Sequence, residues 1–254
     1  MTLLIFFLGA SLGSFLNVCI LRLPREESVV QPPSHCPKCK HKIRWFDNIP
    51  IFSFLVLRAK CRYCRVKISM QYPVVELISG LVMLYFYSVY GISITAFIFS
   101  FFLYGLIVAT FSDFQTRLIP DEVSLGLLPI GLMFSFFNPV LDSVYSSNPL
   151  VASFLGAVVG SLMIYLTGVL GKIAFKKEAM GFGDVKFMAM IGAFLGWKLI
   201  ILNYFIAPFF ALGYGLYRKI KYKDNYLPYG PFLAIAAIFV FIFYDKLLEI
   251  FFYL

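Results

Sequence analysis

Charged residues are scarce in this 254-residue chain, where they account for 14% of the residues, while 61% are hydrophobic. Soluble globular domains contain about 25% charged residues, so the composition excludes that class. Apolar stretches of about 20 residues, long enough to cross roughly 30 Å of hydrocarbon as a helix, recur along the chain. We therefore predict an all-α, polytopic membrane protein.

Several other features are missing. The first apolar stretch, residues 2–21, has neither a basic segment before it nor a small-residue cleavage site after it. It is therefore interpreted as a retained span rather than a removed signal peptide. No internal repeat, low-complexity linker or glycine-rich cofactor loop is evident. The net charge of +9 is compatible with nucleic-acid binding, but most basic residues lie in loops beside apolar stretches, where they orient a membrane protein. We predict no nucleic-acid partner.

Eight transmembrane segments are predicted, at 2–21, 73–90, 92–111, 123–138, 150–171, 185–197, 199–217 and 229–251. The segment 185–197 is short, because 13 residues rise only about 20 Å as a helix. It is either re-entrant or begins deep behind a water-filled cavity. Merging 185–217 into one span would put the basic cluster at 218–223 outside, so we predict two short or tilted segments that turn near Gly196-Trp197-Lys198.

The basic residues predict the orientation. Residues 22–72 contain 11 of the 22 Lys and Arg residues, so the positive-inside rule makes this loop cytoplasmic and the N-terminus external. When the eight predicted spans are followed along the chain, 20 of the 22 Lys and Arg residues, including Lys177 and Lys223, lie on the cytoplasmic side. Only Lys198 and Lys246 lie outside. The predicted divisions are a first span at 1–22, a cytoplasmic loop at 23–72 and a membrane domain at 73–254.

Two aspartates lie where apolar stretches meet this cytoplasmic side. Asp113 follows the third predicted span, and Asp184 begins the sixth, 71 residues later. Ionisable groups at membrane depth are costly and tend to be functional. If the two spans are neighbours, the carboxyl groups can share a proton, activate a water and polarise a peptide carbonyl. The alternative is that Asp184 only caps a helix.

Neighbouring residues fit the first interpretation. Gly181 and Gly183 lack a Cβ, so a substrate strand or another helix can approach the backbone closely. Lys186 either tunes the charge of the aspartates or anchors its helix at the headgroups. Asp121, after Pro120, either caps the fourth span or takes part in catalysis, and we favour capping. Glu76, one turn into the second span, is either functional or simply hydrogen bonded.

Four of the five cysteines form two Cys-x-x-Cys pairs, Cys36 with Cys39 and Cys61 with Cys64. This spacing is close to that of a four-thiolate zinc ribbon. Since disulfides are disfavoured in the cytoplasm, we predict a structural Zn²⁺ that holds together a small loop without a core of its own. An apolar tract between the pairs, Trp45 to Phe54, is predicted to pack on the membrane face or on a substrate.

Together these residues resemble bacterial type IV prepilin peptidases, bifunctional enzymes that cleave the leader and methylate the new N-terminus. The similarity covers nearly the whole chain. The matching segments are Gly13-Ser14-Phe15-Leu16-Asn17, Arg22-Leu23-Pro24, Pro32 to Pro37, Asp47-Asn48-Ile49-Pro50, Tyr72-Pro73-Val74-Val75-Glu76, Asp113, Leu118 to Asp121, Gly181 to Lys186 and Pro228-Tyr229-Gly230-Pro231.

The resemblance implies a prepilin or pseudopilin substrate that is cut after a glycine at the cytoplasmic face of the bacterial inner membrane. It implies that Asp113 and Asp184 are the catalytic pair of an aspartic endopeptidase, supported by Gly181, Gly183 and Lys186. It further implies methylation with S-adenosyl-L-methionine as donor, associated with the N-terminal region and the cysteine loop. Glu76, Asp47 and Lys60 are candidates for the methylation or substrate site. Ala59 departs from the glycine that many family members carry.

Two alternatives remain at this stage. The chain is a peptidase without methyltransferase activity, in which the cysteine loop only docks substrate, or it is an ion-coupled transporter with a regulatory zinc loop. Transport sites usually lie near the middle of the bilayer, whereas both aspartates are predicted at one face, which argues against the transporter.

Overall fold

The computed structural model describes residues 1–145, 148–176, 180–222 and 227–252. Lys177 and Lys223, which contributed to the predicted orientation, lie outside these ranges. Regular structure in the described residues is helical, apart from isolated bridges at His35 with Lys42 and Lys60 with Lys67. The α-helices are Thr2–Arg22 (α1), Phe52–Val56 (α2), Gln71–Tyr90 (α3), Ile94–Thr116 (α4), Asp121–Met133 (α5), Pro139–Val144 (α6), Pro149–Phe175 (α7), Phe182–Leu195 (α8), Trp197–Tyr222 (α9), Gly230–Ile242 (α10) and Tyr244–Phe252 (α11).

The chain divides into two compact units, Met1–Val108 and Ala109–Leu254. In the first unit, α1 packs along α3. The two backbones approach so closely that a Cβ on Gly13 would lie 2.8 Å from the Cα of Glu76. Small residues at helix contacts are typical of membrane proteins, because lipid offers no hydrophobic drive for association and packing must supply it. The buried Asn17 side chain strengthens this contact by donating to the carbonyl of Tyr72 at 3.2 Å.

In the second unit, α8 is the central helix. It packs against α5, α7, α9 and α10, and every residue from Phe187 to Leu195 is buried. Its contact with α7 is made at Gly156 and Gly192, where a Cβ on either residue would overlap the other helix's backbone. Because neighbouring helices bury these residues, protein rather than lipid surrounds this part of α8.

The C-terminal end of α8 shows why such a short helix is tolerated. Its last carbonyls accept hydrogen bonds from three side chains: Ser153 to Ala193 at 2.6 Å, Asn138 to Phe194 at 2.7 Å and Tyr145 to Leu195 at 3.1 Å. Unpaired carbonyls are costly where water is absent, so these side chains allow the helix to end inside the protein. The chain then turns at Gly196, where φ is +79°, as predicted.

The all-α membrane fold is confirmed. Among the described residues, five helices are long and apolar enough to cross a membrane (α1, α3, α4, α7 and α9), and α10 with α11, bent by 87°, would form a sixth. The other two predicted spans, 123–138 and 185–197, correspond to α5 and α8, which have 13 and 14 residues. The orientation in the membrane stays a prediction.

Candidate functional site

Asp113 lies in the last turn of α4 and is only 6% exposed. Its Oδ2 accepts a hydrogen bond of 2.9 Å from the backbone N–H of Gly230, at the start of α10. The helix ends just beyond it, because Arg117 adopts a left-handed conformation (φ 60°) while its N–H still bonds to the Asp113 carbonyl. The guanidinium of Arg117 also attracts the Asp113 carboxylate.

Asp184 lies in the first turn of α8. Its backbone N–H donates to the carbonyl of Gly181, the residue that precedes the helix, at 3.2 Å, and its carboxylate interacts electrostatically with Asp113. The two acids, 71 residues apart in sequence, therefore lie within electrostatic range of each other in the second unit. A carboxylate in the first turn of a helix is favoured by the helix dipole, but that role does not need a second carboxylate within electrostatic range.

Gly181 and Gly183 flank this pair without being crowded by the protein. A Cβ on Gly181 would lie 3.5 Å from Asp184 Oδ2, and one on Gly183 would lie 3.5 Å from the Cβ of Ile119. Both distances are ordinary van der Waals contacts, so packing within the chain does not require glycine at either position. The small residues instead keep the space next to the carboxylates free of side chains.

Lys186 binds a different acid from the two in the pair. Its Nζ donates to both carboxylate oxygens of Asp121, at 2.6 and 2.7 Å, and lies 5.3 Å from the centre of the Phe182 ring. Asp121 is the first residue of α5, and Pro120 rather than Asp121 occupies the capping position. The predicted capping role of Asp121 is therefore wrong, because its side chain is used in an ion pair that joins the N-terminal parts of α5 and α8.

Sequence reasoning assigned no role to Gly230, although it quoted the stretch that contains it. The backbone of Gly230 holds Asp113, and Tyr229 beside it interacts electrostatically with Asp184 and Tyr204. The Tyr204 hydroxyl is in turn 2.6 Å from that of Thr167. The only signal in the sequence was a glycine between two prolines at the start of an apolar stretch, which does not reveal a hydrogen-bond partner 117 residues away.

If Asp113 is a catalytic acid, as the sequence predicts, Gly230→Ala is expected to reduce catalysis by roughly 10²-fold, the typical cost of misplacing a catalytic group by about 1 Å. The added Cβ would lie 2.9 Å from both Asp113 Oδ2 and the Cδ1 of Ile119, so the carboxylate has to move. The measurement is kcat for substrate cleavage. Gly213→Ala, at a helical glycine with nothing within 4 Å of an added Cβ, is the matched control and is expected to retain activity. Equal activity of the two variants would show that the Gly230 contact does not position Asp113.

The four predicted cysteines are brought together in the first unit. The Sγ atoms of Cys36, Cys39, Cys61 and Cys64 all lie within 4.8 Å of one another, and those of Cys36 and Cys64 are 3.7 Å apart. Thiolates bound at about 2.3 Å to a tetrahedral zinc ion are about 3.8 Å apart. The donor set and its spacing therefore fit a four-coordinate, closed metal site.

The two cysteine pairs have the same backbone geometry. In the first, the N–H of Lys40 bonds to the carbonyl of Cys36; in the second, the N–H of Arg65 bonds to that of Cys61. Both of these following residues adopt φ 58°. Each turn thus directs two thiols to the same point, which is what a zinc knuckle requires.

The three residues considered for methylation or substrate binding have different partners, all within the first unit. Glu76 is buried, and its Oε2 accepts a 2.7 Å hydrogen bond from the N–H of Ile51. Asp47 forms a two-point ion pair with Arg62, with contacts of 2.6 and 2.8 Å. This guanidinium holds the pKa of the Asp47 carboxyl below its usual value. Lys60 lines an open cleft of about 350 Å³ on the cysteine loop. The Glu76–Ile51 hydrogen bond attaches the loop to α3. The Asp47–Arg62 ion pair attaches the segment between the cysteine pairs to the second pair.

Comparison with known proteins gives consistent matches along the chain. The family model described as "Bacterial Peptidase A24 N-terminal domain" matches residues 7–90, and that of the "Type IV leader peptidase family" matches residues 100–216. No solved structure shows significant similarity.

Similar curated proteins named "Prepilin leader peptidase/N-methyltransferase" occur in several bacteria. One from Stutzerimonas stutzeri is 36% identical over 91% of this chain and 86% of its own length. One from Pectobacterium carotovorum is 36% identical over 91% of this chain and 89% of its own length. One from Neisseria gonorrhoeae is 33% identical over 92% of this chain and 87% of its own length.

Proposed function

The chain belongs to the type IV leader peptidase family, and we propose that it is a membrane-embedded aspartic endopeptidase that removes the leader of type IV prepilins or pseudopilins. We further propose that it cuts after a glycine at the cytoplasmic face of the inner membrane and methylates the new N-terminus. The single observation that carries the proteolytic assignment is the interacting pair of Asp113 and Asp184.

The pair supports hydrolysis without a covalent intermediate. Two carboxyl groups that interact electrostatically do not ionise cheaply together, so in this proposal the pair shares one proton. The Gly230 N–H and the charge of Arg117 favour the ionised form of Asp113, so we assign Asp113 as the base and Asp184 as the proton donor. Asp113 takes a proton from water as the water oxygen attacks the peptide carbonyl carbon, and Asp184 gives its proton to the carbonyl oxygen.

The resulting tetrahedral diol then collapses. Asp113 returns its proton to the amide nitrogen as the C–N bond breaks, and Asp184 takes a proton from one hydroxyl as the carboxylic acid forms. Both groups end in their starting states, so the pair is ready for another turnover. The open side of Gly181 and Gly183 is where an extended substrate strand would lie, since a helix would hide its own carbonyls.

The family implies S-adenosyl-L-methionine as the methyl donor, but the cleft on the cysteine loop does not suit it. Four of the six residues lining that cleft are cations, Arg58, Lys60, Arg62 and Arg65, and they would repel the positively charged sulfonium. We therefore derive no step of methyl transfer from this cleft.

For Zn²⁺ the fit is good, and we propose that Cys36, Cys39, Cys61 and Cys64 hold it. Four thiolates leave no open position, so the ion would supply folding stability to the loop rather than catalysis.

The test is incubation of the full-length protein, in detergent or lipid, with a synthetic peptide that carries a basic leader, a glycine and an apolar helix. Product masses are measured with and without S-adenosyl-L-methionine. We expect one cut after the glycine, and a mass increase of one methyl group only when the donor is present. Cleavage without methylation would instead identify a peptidase-only enzyme, whereas an uncut peptide would contradict the proteolytic assignment.

A further inference from the structure

The loop between α1 and α3 exposes an apolar face that the proposed chemistry does not use. Phe52, Leu55 and Val56 are spaced along α2 so that they share one side of the helix, and they are 59%, 66% and 59% exposed. Trp45, in the short helical turn that packs on α2, is 81% exposed. We refer to these four residues as the apolar face. Side chains of this size are costly to leave in water.

A basic cleft adjoins this apolar face. Val56 at the end of α2 lines it together with Leu57, and the remaining walls are Arg58, Lys60, Arg62 and Arg65. Arg62 is paired with Asp47, whereas Arg58, Lys60 and Arg65 are exposed cations. Residues 22–72 contain 11 basic residues against three acidic ones, Glu26, Glu27 and Asp47. The positive charge of the cleft therefore favours an anionic partner. A basic peptide leader and a sulfonium compound are excluded, because the cations of the cleft would repel them.

The position of the loop in the chain indicates which anionic partner is within reach. The loop begins at Leu23, directly after α1, and ends at Met70, directly before α3. Both helices are candidate membrane spans, and they pack side by side. The lipid surface therefore lies at both ends of the loop. A short helix with an apolar side and adjacent Lys and Arg residues is the usual form of a segment that lies in a membrane interface.

We propose that this loop binds the surface of the bilayer, with the apolar face in the acyl-chain boundary and the phosphates of anionic phospholipids in the cleft of Arg58, Lys60 and Arg65. A metal bound by the four cysteines would hold the two knuckles together and would thereby restrict the movement of Arg62 and Arg65 in the second knuckle. The inference depends on membrane insertion of the chain and not on its catalytic activity.

Trp45 itself is the reporter, because the chain has only two tryptophans. In a Trp197→Phe background, the full-length protein is placed in nanodiscs that contain brominated phosphatidylcholine, with or without phosphatidylglycerol. We expect the bromines to quench Trp45 and the quenching to be stronger with the anionic lipid. Replacing Arg58, Lys60 and Arg65 together by serine is expected to reduce quenching in anionic discs about twofold, because basic residues provide the attraction to anionic lipid.

Lys38, Lys40 and Lys42 provide the matched control. They carry the same charge on the same loop, but Lys40 and Lys42 line a different hollow with Pro32, Pro33 and His35. Their replacement by serine is expected to leave the quenching unchanged. Equal quenching with and without phosphatidylglycerol would overturn the proposal, and this comparison needs no variant of the cleft. Quenching of Trp45 by aqueous acrylamide, or its protection only when a peptide substrate is added, would overturn it as well.

Discussion

Replacing Asp113 or Asp184 with asparagine is expected to lower kcat for leader cleavage by at least about 10³-fold, since general acid–base groups each contribute roughly 10²–10⁴-fold and the pair shares one proton. Asparagine has nearly the same shape as aspartate, so the Gly230 N–H still has an oxygen to bind at position 113. It can neither take a proton from water nor donate one to the substrate carbonyl.

The unfolding temperature distinguishes a loss of catalysis from a folding defect. The two carboxylates repel each other when both are ionised, so neutralising one removes an unfavourable interaction. We expect the unfolding temperature of each variant to equal or exceed that of the unmodified protein, as is common when an active-site charge is removed. The control is Asp142→Asn, at an exposed position on α6 of the same unit, which is expected to keep full activity. Substantial cleavage by either of the paired variants would contradict the mechanism.

Removal of the metal is expected to have the second-largest effect. Cys36→Ala or Cys61→Ala leaves three thiolates where a closed zinc site needs four. We expect bound zinc to fall from about one ion per chain to a small fraction of that, because structural sites depend on their full ligand set. The loop between Leu23 and Met70 should then become sensitive to protease, since the thiolate cluster joins its two knuckles.

The measurements are zinc content by mass spectrometry, limited proteolysis and the two activities. Cleavage is expected to persist, because Asp113 and Asp184 belong to the other unit, whereas methylation is expected to be lost with the loop. Cys19→Ala, at a buried cysteine in α1 outside the cluster, should leave the zinc content intact. A full complement of zinc in the Cys36 variant would refute the four-cysteine site.

Local features of the sequence were sufficient to predict the membrane helices, the cysteine pairs and the two candidate acids. Long apolar stretches predict membrane helices because lipid cannot satisfy backbone hydrogen bonds, and this holds for each helix separately. The cysteine pairs could be identified because zinc knuckles are formed by ligands close together in sequence. Asp113 and Asp184 could be chosen as candidates because each is an acid at the end of an apolar stretch, and their catalytic role stays a prediction.

Long-range contacts were harder to infer. The length of α8 depends on Ser153, Asn138 and Tyr145, whose side chains end the helix from distant points in the chain. Periodicity within the segment does not contain that information, so the number of full spans could not be counted reliably. The partner of Lys186 was equally hidden, since Asp121 lies 65 residues before it.

By itself, then, the sequence determined the helical membrane class, and it predicted the four cysteines of the cluster and the two acids as candidate site residues, because apolar length, ligand spacing and residue type are local properties. Only the tertiary structure decided that Gly230 holds Asp113, that Lys186 pairs with Asp121 and that Glu76 binds the backbone of Ile51. Each of these contacts joins segments at least 25 residues apart, and such pairings arise only when the helices have packed.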